Sequence, residues 1–185
     1  MKHRFKNTCL DKNVLLTECD TLDMFMSRLI KQSDENKDNW DPMVYRGDGF
    51  EALVEVLINH SPIDKRINIQ NYEPWNTGDH GDDMGVDGIG ISHDGKIHTV
   101  QIKFRSNTQY DLTANEDHIS NFVAKTLTWH MGQSVDMTIF TTAAGLSPRV
   151  SEGMFHDKVR TLGYAEIKKL IDNNGAFWDI FRSEM

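Results

Sequence analysis

Asp87 stands in a run of small and apolar residues, Gly85-Val86-Asp87-Gly88-Ile89-Gly90-Ile91, where a carboxylate needs company. An ionised side chain buried alone is costly, so the run implies a partner or a ligand. Gln101 and Lys103 follow on the next strand-like run, two residues apart and therefore on one face of a strand. Val100, Ile102 and Phe104 alternate with them toward a core. Upstream, Glu51 sits in an apolar helical pattern. Two carboxylates, one amide oxygen and one ammonium make a set of hard oxygen ligands plus a cation, which suits Mg²⁺ or Mn²⁺. Such an ion lowers the pKa of water and stabilises charge on a phosphate. Lys103 would orient the attacking water or stabilise the transition state.

The elements that must position this set are a hairpin and a helix. Val86 to Ile91 and Ile97 to Phe104 flank Ser92-His93-Asp94-Gly95-Lys96, and Asp-Gly is a strong turn dipeptide. A three-residue loop, His93-Asp94-Gly95, pairs Ser92 with Lys96 and brings Asp87 opposite Gln101. A two-residue loop pairs Asp87 with Ile102 and splits the set. The sequence leaves both open. In the helix, Phe50, Leu53, Val54, Leu57 and Ile58 form one stripe. Glu51 lies about 90° from the centre of that stripe and Glu55 about 130°, so Glu51 reaches the edge of the buried face and Glu55 faces water.

Elsewhere, Leu22 to Ile30 has helical spacing with Thr21 or Asp20 as N-cap, and Ser33 to Asn39 reads as a loop. Arg66 to Asn71 reads as a short strand, followed by a polar, glycine-rich stretch to Gly85. Glu116 to Met131 is a predicted helix and Val135 to Thr142 a buried strand. Ser147-Pro148 starts another helix, and Tyr164 to Phe181 holds one or two more, interrupted at Asn173-Asn174-Gly175. This order predicts an α/β domain with a mixed central sheet flanked by helices. Residues 1–40 form an N-terminal helical extension and 41–185 the main domain.

Composition narrows the classes. With 185 residues, 38% of them hydrophobic, one ordinary core is expected without staples. No apolar run is long enough to span a membrane, and no signal-peptide core follows the basic start, so a cytoplasmic location is expected. The net charge of -8 argues against a nonspecific DNA-coating protein, but not against an enzyme with a local basic strip. Cys9 and Cys19 are the only cysteines and read as free thiols. A zinc site joining them with His3 lacks the usual paired spacing.

Gly49-Phe50-Glu51-Ala52-Leu53-Val54, Gly85-Val86-Asp87-Gly88-Ile89 and Gln101-Ile102-Lys103-Phe104 together resemble the PD-(D/E)XK nuclease superfamily. The QxK form resembles its Mrr-like restriction endonuclease branch, which includes nuclease domains attached to restriction helicases. Tyr72-Glu73-Pro74-Trp75-Asn76 and Phe140-Thr141-Thr142-Ala143 are similar to the same domains. The resemblance covers about residues 45 to 180. It implies a restriction-endonuclease-like sheet and an Mg²⁺-dependent endonuclease hydrolysing DNA phosphodiester bonds. It makes Glu51 and Asp87 metal ligands, puts Gln101 where a Glu usually stands, and makes Lys103 the catalytic lysine. A neutral amide attracts metal less than a carboxylate, so Glu51 must supply the missing charge. No helicase motor is present, so a translocase or other protein partner would be a separate chain. A homodimer is a further candidate assembly.

Arg105, Asn107 and Arg149 are candidate DNA contacts, with Gln109, Lys158 and Arg160 extending the strip. Asp79 and Asp82 are candidate outer ligands in a loop whose match to a calcium-binding loop is poor. His118 and His130 are too far apart to share one ion. Trp75, Trp129 and Trp178 read as core or core-edge residues rather than base-stacking platforms. The competing reading is a non-catalytic nucleic-acid-binding or protein-interaction module on the same fold. An acidic inhibitor of another protein is a third.

Overall fold

The protein's computed structural model describes residues 11–60, 66–75, 85–115, 118–154, 157–172 and 174–185. A short helix α1 (Lys12–Leu16) is capped by Asp11, whose Oδ1 accepts from the Asn13 amide at 2.9 Å. Helix α2 (Leu22–Glu35) starts at Thr21, whose hydroxyl accepts from the Met24 amide at 3.2 Å. That cap is one of the two expected. Helix α2 takes in the first three residues of the segment read as a loop, Ser33 to Glu35, and residues 36–39 form the turn that follows. Ser33 is buried inside the helix and donates to the Ile30 carbonyl at 2.7 Å.

Helix α3 (Pro42–His60) leads to strands β1 (Gln70–Pro74), β2 (Gly88–Ile91) and β3 (Ile97–Lys103). Helix α4 (Ile119–Trp129) then crosses to β4 (Val135–Thr141). A π-helical segment, Arg149–Met154, stands where Ser147-Pro148 predicts a helix. Strand β5 (Val159–Leu162) and helices α5 (Tyr164–Ile171) and α6 (Gly175–Glu184) complete the chain. β5 is short and half-exposed, with little alternation to announce it. β1 begins later than the predicted strand, at Gln70 rather than Arg66.

The sheet order is β1-β2-β3-β4-β5. The first three strands are antiparallel, and β3, β4 and β5 run parallel. This is a mixed α/β fold with a five-stranded sheet flanked by helices. One face packs Val100, Ile102 and Phe140 against α3, α2 and α6. The other packs Met137 and Ile139 against Ile119, Phe122 and Val123 of α4.

The described part of the N-terminal segment belongs to the first of these cores. Leu15, Leu16, Phe25 and Leu29 cluster with Phe177, Trp178 and Phe181. The rings of Phe25 and Phe181 meet edge-on at 5.6 Å. Arg182 donates to the Cys19 carbonyl at 2.8 Å, tying the last helix to the segment between α1 and α2. Cys19 is buried, and desolvation pushes its thiol up to about 11, so it stays protonated. Cys9 and His3 lie outside the described residues.

No helix among the described residues is long and apolar enough to cross a membrane.

Candidate functional site

The hairpin turns through three residues. The Ser92 amide donates to the Lys96 carbonyl at 2.8 Å, and Gly95 takes the left-handed conformation at φ 85°. Gly88 consequently faces Val100, in the register that the three-residue loop predicts. At Asp87 the pairing changes. Its amide donates at 2.8 Å to the carbonyl of Val100, the residue Gly88 already faces. Two residues therefore stand against one, which is the arrangement of a β-bulge.

The bulge turns Asp87 toward α3. Its Oδ2 accepts from the Ile102 amide at 2.5 Å, taking the place of a ladder carbonyl. Its own carbonyl accepts from the Trp75 amide at 2.8 Å and from the Tyr72 hydroxyl at 3.5 Å. The side chain opens on a cavity of about 410 Å³ lined by Met43, Arg46, Gly47, Glu51, Asp87 and Ile102 to Ser106. Glu51, Asp87 and Lys103, from three separate elements, thus share one cavity.

Gln101 does not line it. The side chain is fully buried, and neither amide atom has a hydrogen-bond partner. It lies on the α4 side. A Cβ added to Gly85 would stand 3.0 Å from Gln101 Nε2 and 3.8 Å from the Phe122 side chain. The two-residue spacing of Gln101 and Lys103 therefore does not bring both into one cavity. Burying an amide unsatisfied costs roughly 1–3 kcal/mol.

Beneath the cavity lies Tyr72, whose ring fills the space over Gly88. A Cβ there would meet the ring at 2.3 Å. Burial, then the charges of Asp87, Glu51 and Glu55, push the phenol well above its usual range, so it is neutral at all ordinary pH. Glu55 is buried at 3% exposure, against the water-facing position expected for it. The helical-stripe argument fails because α3 is enclosed. β1 packs on the side of Tyr72, and α2, α6 and β3 cover the rest.

Two guanidinium groups enter the same cavity. Arg46 donates from Nε to Ser33 Oγ at 2.6 Å and from Nη1 to Ser106 Oγ at 3.4 Å, and pairs through Nη2 with Asp34. Arg105 is held by its backbone. Its amide donates to Thr142 Oγ1 at 2.6 Å, and its Nη1 donates to the Phe104 carbonyl at 2.8 Å. Of the other predicted contacts, Asn107 is exposed and its Oδ1 accepts from the Gln109 amide at 3.0 Å. Arg149 is exposed on the π-helical segment and does not line the cavity. Lys158 and Arg160 line a different cavity with His98 and Asp136, at the start of β5, toward the opposite end of the sheet from Lys103. The basic strip is therefore not continuous.

His118 and His130 occupy the two end caps of α4. Trp178 is core, as expected, and Trp75 is nearly so. Trp129 is 40% exposed, with its ring 4.4 Å from that of Trp75 and Lys125 over it. Asp79 and Asp82 lie outside the described residues.

Sequence reasoning did not single out Arg46 or Tyr72 as site residues. Met43, Gly47 and Glu51 form one i, i+4, i+8 row beside Arg46, and continuing the Glu51 face toward the helix start would have found it. Tyr72 gave no separable signal, because a tyrosine in a strand is most simply core.

No family model matches the chain, and a comparison with curated proteins finds no match.

Proposed function

We propose that this protein is a metal-dependent DNA endonuclease of the PD-(D/E)XK kind, on a restriction-endonuclease-like fold. The observation that carries the reading is the convergence of Glu51, Asp87 and Lys103 on one cavity. The element order around it, α3, a three-stranded meander, α4 and a parallel β4, supports the same reading.

The donor set fits a hard divalent cation such as Mg²⁺ or Mn²⁺. Among the described residues no three of His, Cys, Asp and Glu are grouped to hold a metal. Mg²⁺ commonly takes one or two carboxylates and fills the rest of its shell with water and substrate phosphate. Glu51 and Asp87 would supply the carboxylates. Gln101 Oε1 is buried on the α4 side and does not enter this donor set. When bound, the cation supplies charge stabilisation to the phosphate and acidity to water.

The chain's own groups do the rest. The Ile102 amide fixes the Asp87 carboxylate, so its orientation is set before substrate arrives. Lys103, on the last position of β3, presents an ammonium to the same space and stabilises the charge that develops on the phosphate oxygens. Arg105 extends the positive wall along the path of a backbone.

The second reading, a non-catalytic nucleic-acid-binding or protein-interaction module, is favoured by one observation: Gln101 stands outside the cavity. Incubating wild type, Lys103→Ala and Asp87→Asn with linear, circular, single-stranded and branched DNA, in Mg²⁺, Mn²⁺ or EDTA, separates the two. The nuclease reading expects metal-dependent cleavage by wild type and a loss of at least about a hundredfold in each folded variant. Full activity in both variants, or no cleavage by wild type, would remove it.

A further inference from the structure

We propose that Arg46 is a phosphate-binding residue, holding a backbone phosphate of the nucleic acid at the cavity wall formed by α3. The inference rests on the nuclease reading of this cavity and names the group that anchors the strand beside the reacting phosphate.

The geometry points to a ligand rather than a plain strut. A guanidinium has five N–H donors in a rigid plane. Three are used, on Ser33, Ser106 and Asp34, each from a different nitrogen. One N–H on Nη1 and one on Nη2 remain, and the group lines the cavity with its side chain 18% exposed. With an N–H left on each of two nitrogens, the group retains donors for phosphate oxygens, to which charge-assisted bonds are short and strong. The three bonds also fix the plane from helix α2 on one side and the segment after β3 on the other, so little freedom is lost on binding. Arg46, Lys103 and Arg105 line the cavity against two carboxylates, Glu51 and Asp87, a local excess of one positive charge in a chain whose net charge is -8. Such a local reversal of sign is what an anionic ligand needs where the rest of the surface repels it. Asp34 tempers the charge of Arg46, and its carboxylate is 60% exposed, so it can give way.

The test is binding without cleavage. Fluorescence anisotropy of a labelled duplex and a labelled single strand is measured in EDTA and in Ca²⁺ across a salt series, with cleavage in Mg²⁺ recorded separately. Neutralising one phosphate contact lowers the slope of log K against log salt by about 0.7 to 0.9. Arg46→Gln is expected to show that loss and a severalfold weaker affinity, with Arg46→Lys recovering part of it. Asp34→Asn is expected to do the reverse, with tighter binding and a steeper slope. Neutralising any acidic group near the cavity raises affinity for a polyanion, so the exposed Glu35 on the same helix is the control: a gain in Asp34→Asn well beyond that of Glu35→Gln marks a released Arg46, and this comparison decides the matter even if Arg46→Gln folds poorly. An unchanged slope in Arg46→Gln together with no gain in Asp34→Asn beyond that of Glu35→Gln would overturn the proposal, as would a wild type that shows no salt-dependent binding. Binding that depends on Arg46 in a wild type that never cleaves would keep this subsite and remove the nuclease reading. Cleavage indifferent to Arg46 would do the opposite.

Discussion

The hairpin that carries Asp87 and Lys103 is pinned to β4 by a buried polar chain, and that chain should make the protein acid-sensitive. Ser92 Oγ donates to Asp136 Oδ2 at 2.6 Å, and His98 joins Ser92 Oγ through Nδ1 at 3.0 Å and Thr138 Oγ1 through Nε2 at 2.7 Å. With the Ser92 proton given to Asp136, the pattern assigns the ring proton to Nδ1 and makes Nε2 an acceptor from Thr138. His98 is 2% exposed, and desolvation lowers its pKa to about 4, against a smaller upward pull from Asp136. The folded state thus disfavours the imidazolium, whereas the unfolded chain accepts the proton near pH 6.5. Between those values the unfolded state binds more protons, so this group's contribution is fully present above about pH 6.5 and is lost as pH falls toward 4. Evaluated at about pH 4.5, the loss attributable to His98 is about 2–3 kcal/mol. Urea unfolding of wild type and His98→Gln at about pH 7 and about pH 4.5 isolates it, because the carboxylates titrate in both proteins. The wild type should lose about 2–3 kcal/mol more than the variant on acidification. Equal losses would refute the buried, neutral assignment of His98.

Two further substitutions probe the ground under the site. Gly88→Ala places a methyl 2.3 Å from the Tyr72 ring, and overpacking of this kind should cost about 1–3 kcal/mol, read as a lower Tm together with weaker Mg²⁺ response because Tyr72 also holds the Asp87 carbonyl. An unchanged Tm would show that the Tyr72 ring is not as tightly seated as described. Gln101→Met removes a buried amide with no partner and keeps the volume, so it should raise stability by about 1–2 kcal/mol in urea. A destabilised Gln101→Met protein would mean the amide is satisfied in solution.

What could be read from the sequence depended on whether local chemistry or tertiary enclosure decided the outcome. A turn at Asp94-Gly95 was legible from the dipeptide, but not its length: Gly95 in the left-handed conformation suits a two-residue loop as well, and the Ser92–Lys96 pairing selects the three-residue form and the register from Ser92 to Gly88. The helical stripe of Phe50, Leu53, Val54, Leu57 and Ile58 is buried as expected. Glu55 was misjudged because angular distance from that stripe says nothing about β1 arriving on the other side. The bulge at Asp87 was hidden for a similar reason. It depends on a carboxylate capturing the Ile102 amide, and strict period-two counting assumes that no side chain competes with the ladder. Ser33 to Glu35 looked like loop from polarity alone, but Ser33 is buried and bonded to the Arg46 side chain from α3. Strand β5 lies half-exposed beside β4 and has too few buried positions to show alternation.

The same bulge governs how the Asp87 variants must be read. Asp87 Oδ2 stands in for a backbone acceptor, so the carboxylate is part of the fold as well as the site. Asp87→Ala leaves the Ile102 amide without its acceptor, a cost of about 1–3 kcal/mol in a buried setting. Its loss of activity would therefore mix chemistry with local unfolding of the hairpin. Asp87→Asn keeps an oxygen that can accept from Ile102 while removing the charge that a cation needs. The expected result is a near-wild-type unfolding transition for Asp87→Asn, a lower one for Asp87→Ala, and lost metal-dependent cleavage in both. Lys103 closes β3 with its carbonyl bonded by the Thr141 hydroxyl at 2.8 Å and the Thr142 amide at 3.2 Å, contacts that Lys103→Ala leaves intact. Its loss of activity should then come without loss of stability. If Asp87→Ala proved as stable as wild type, the Ile102 contact would be dispensable, and the bulge would need another cause than the carboxylate that occupies it.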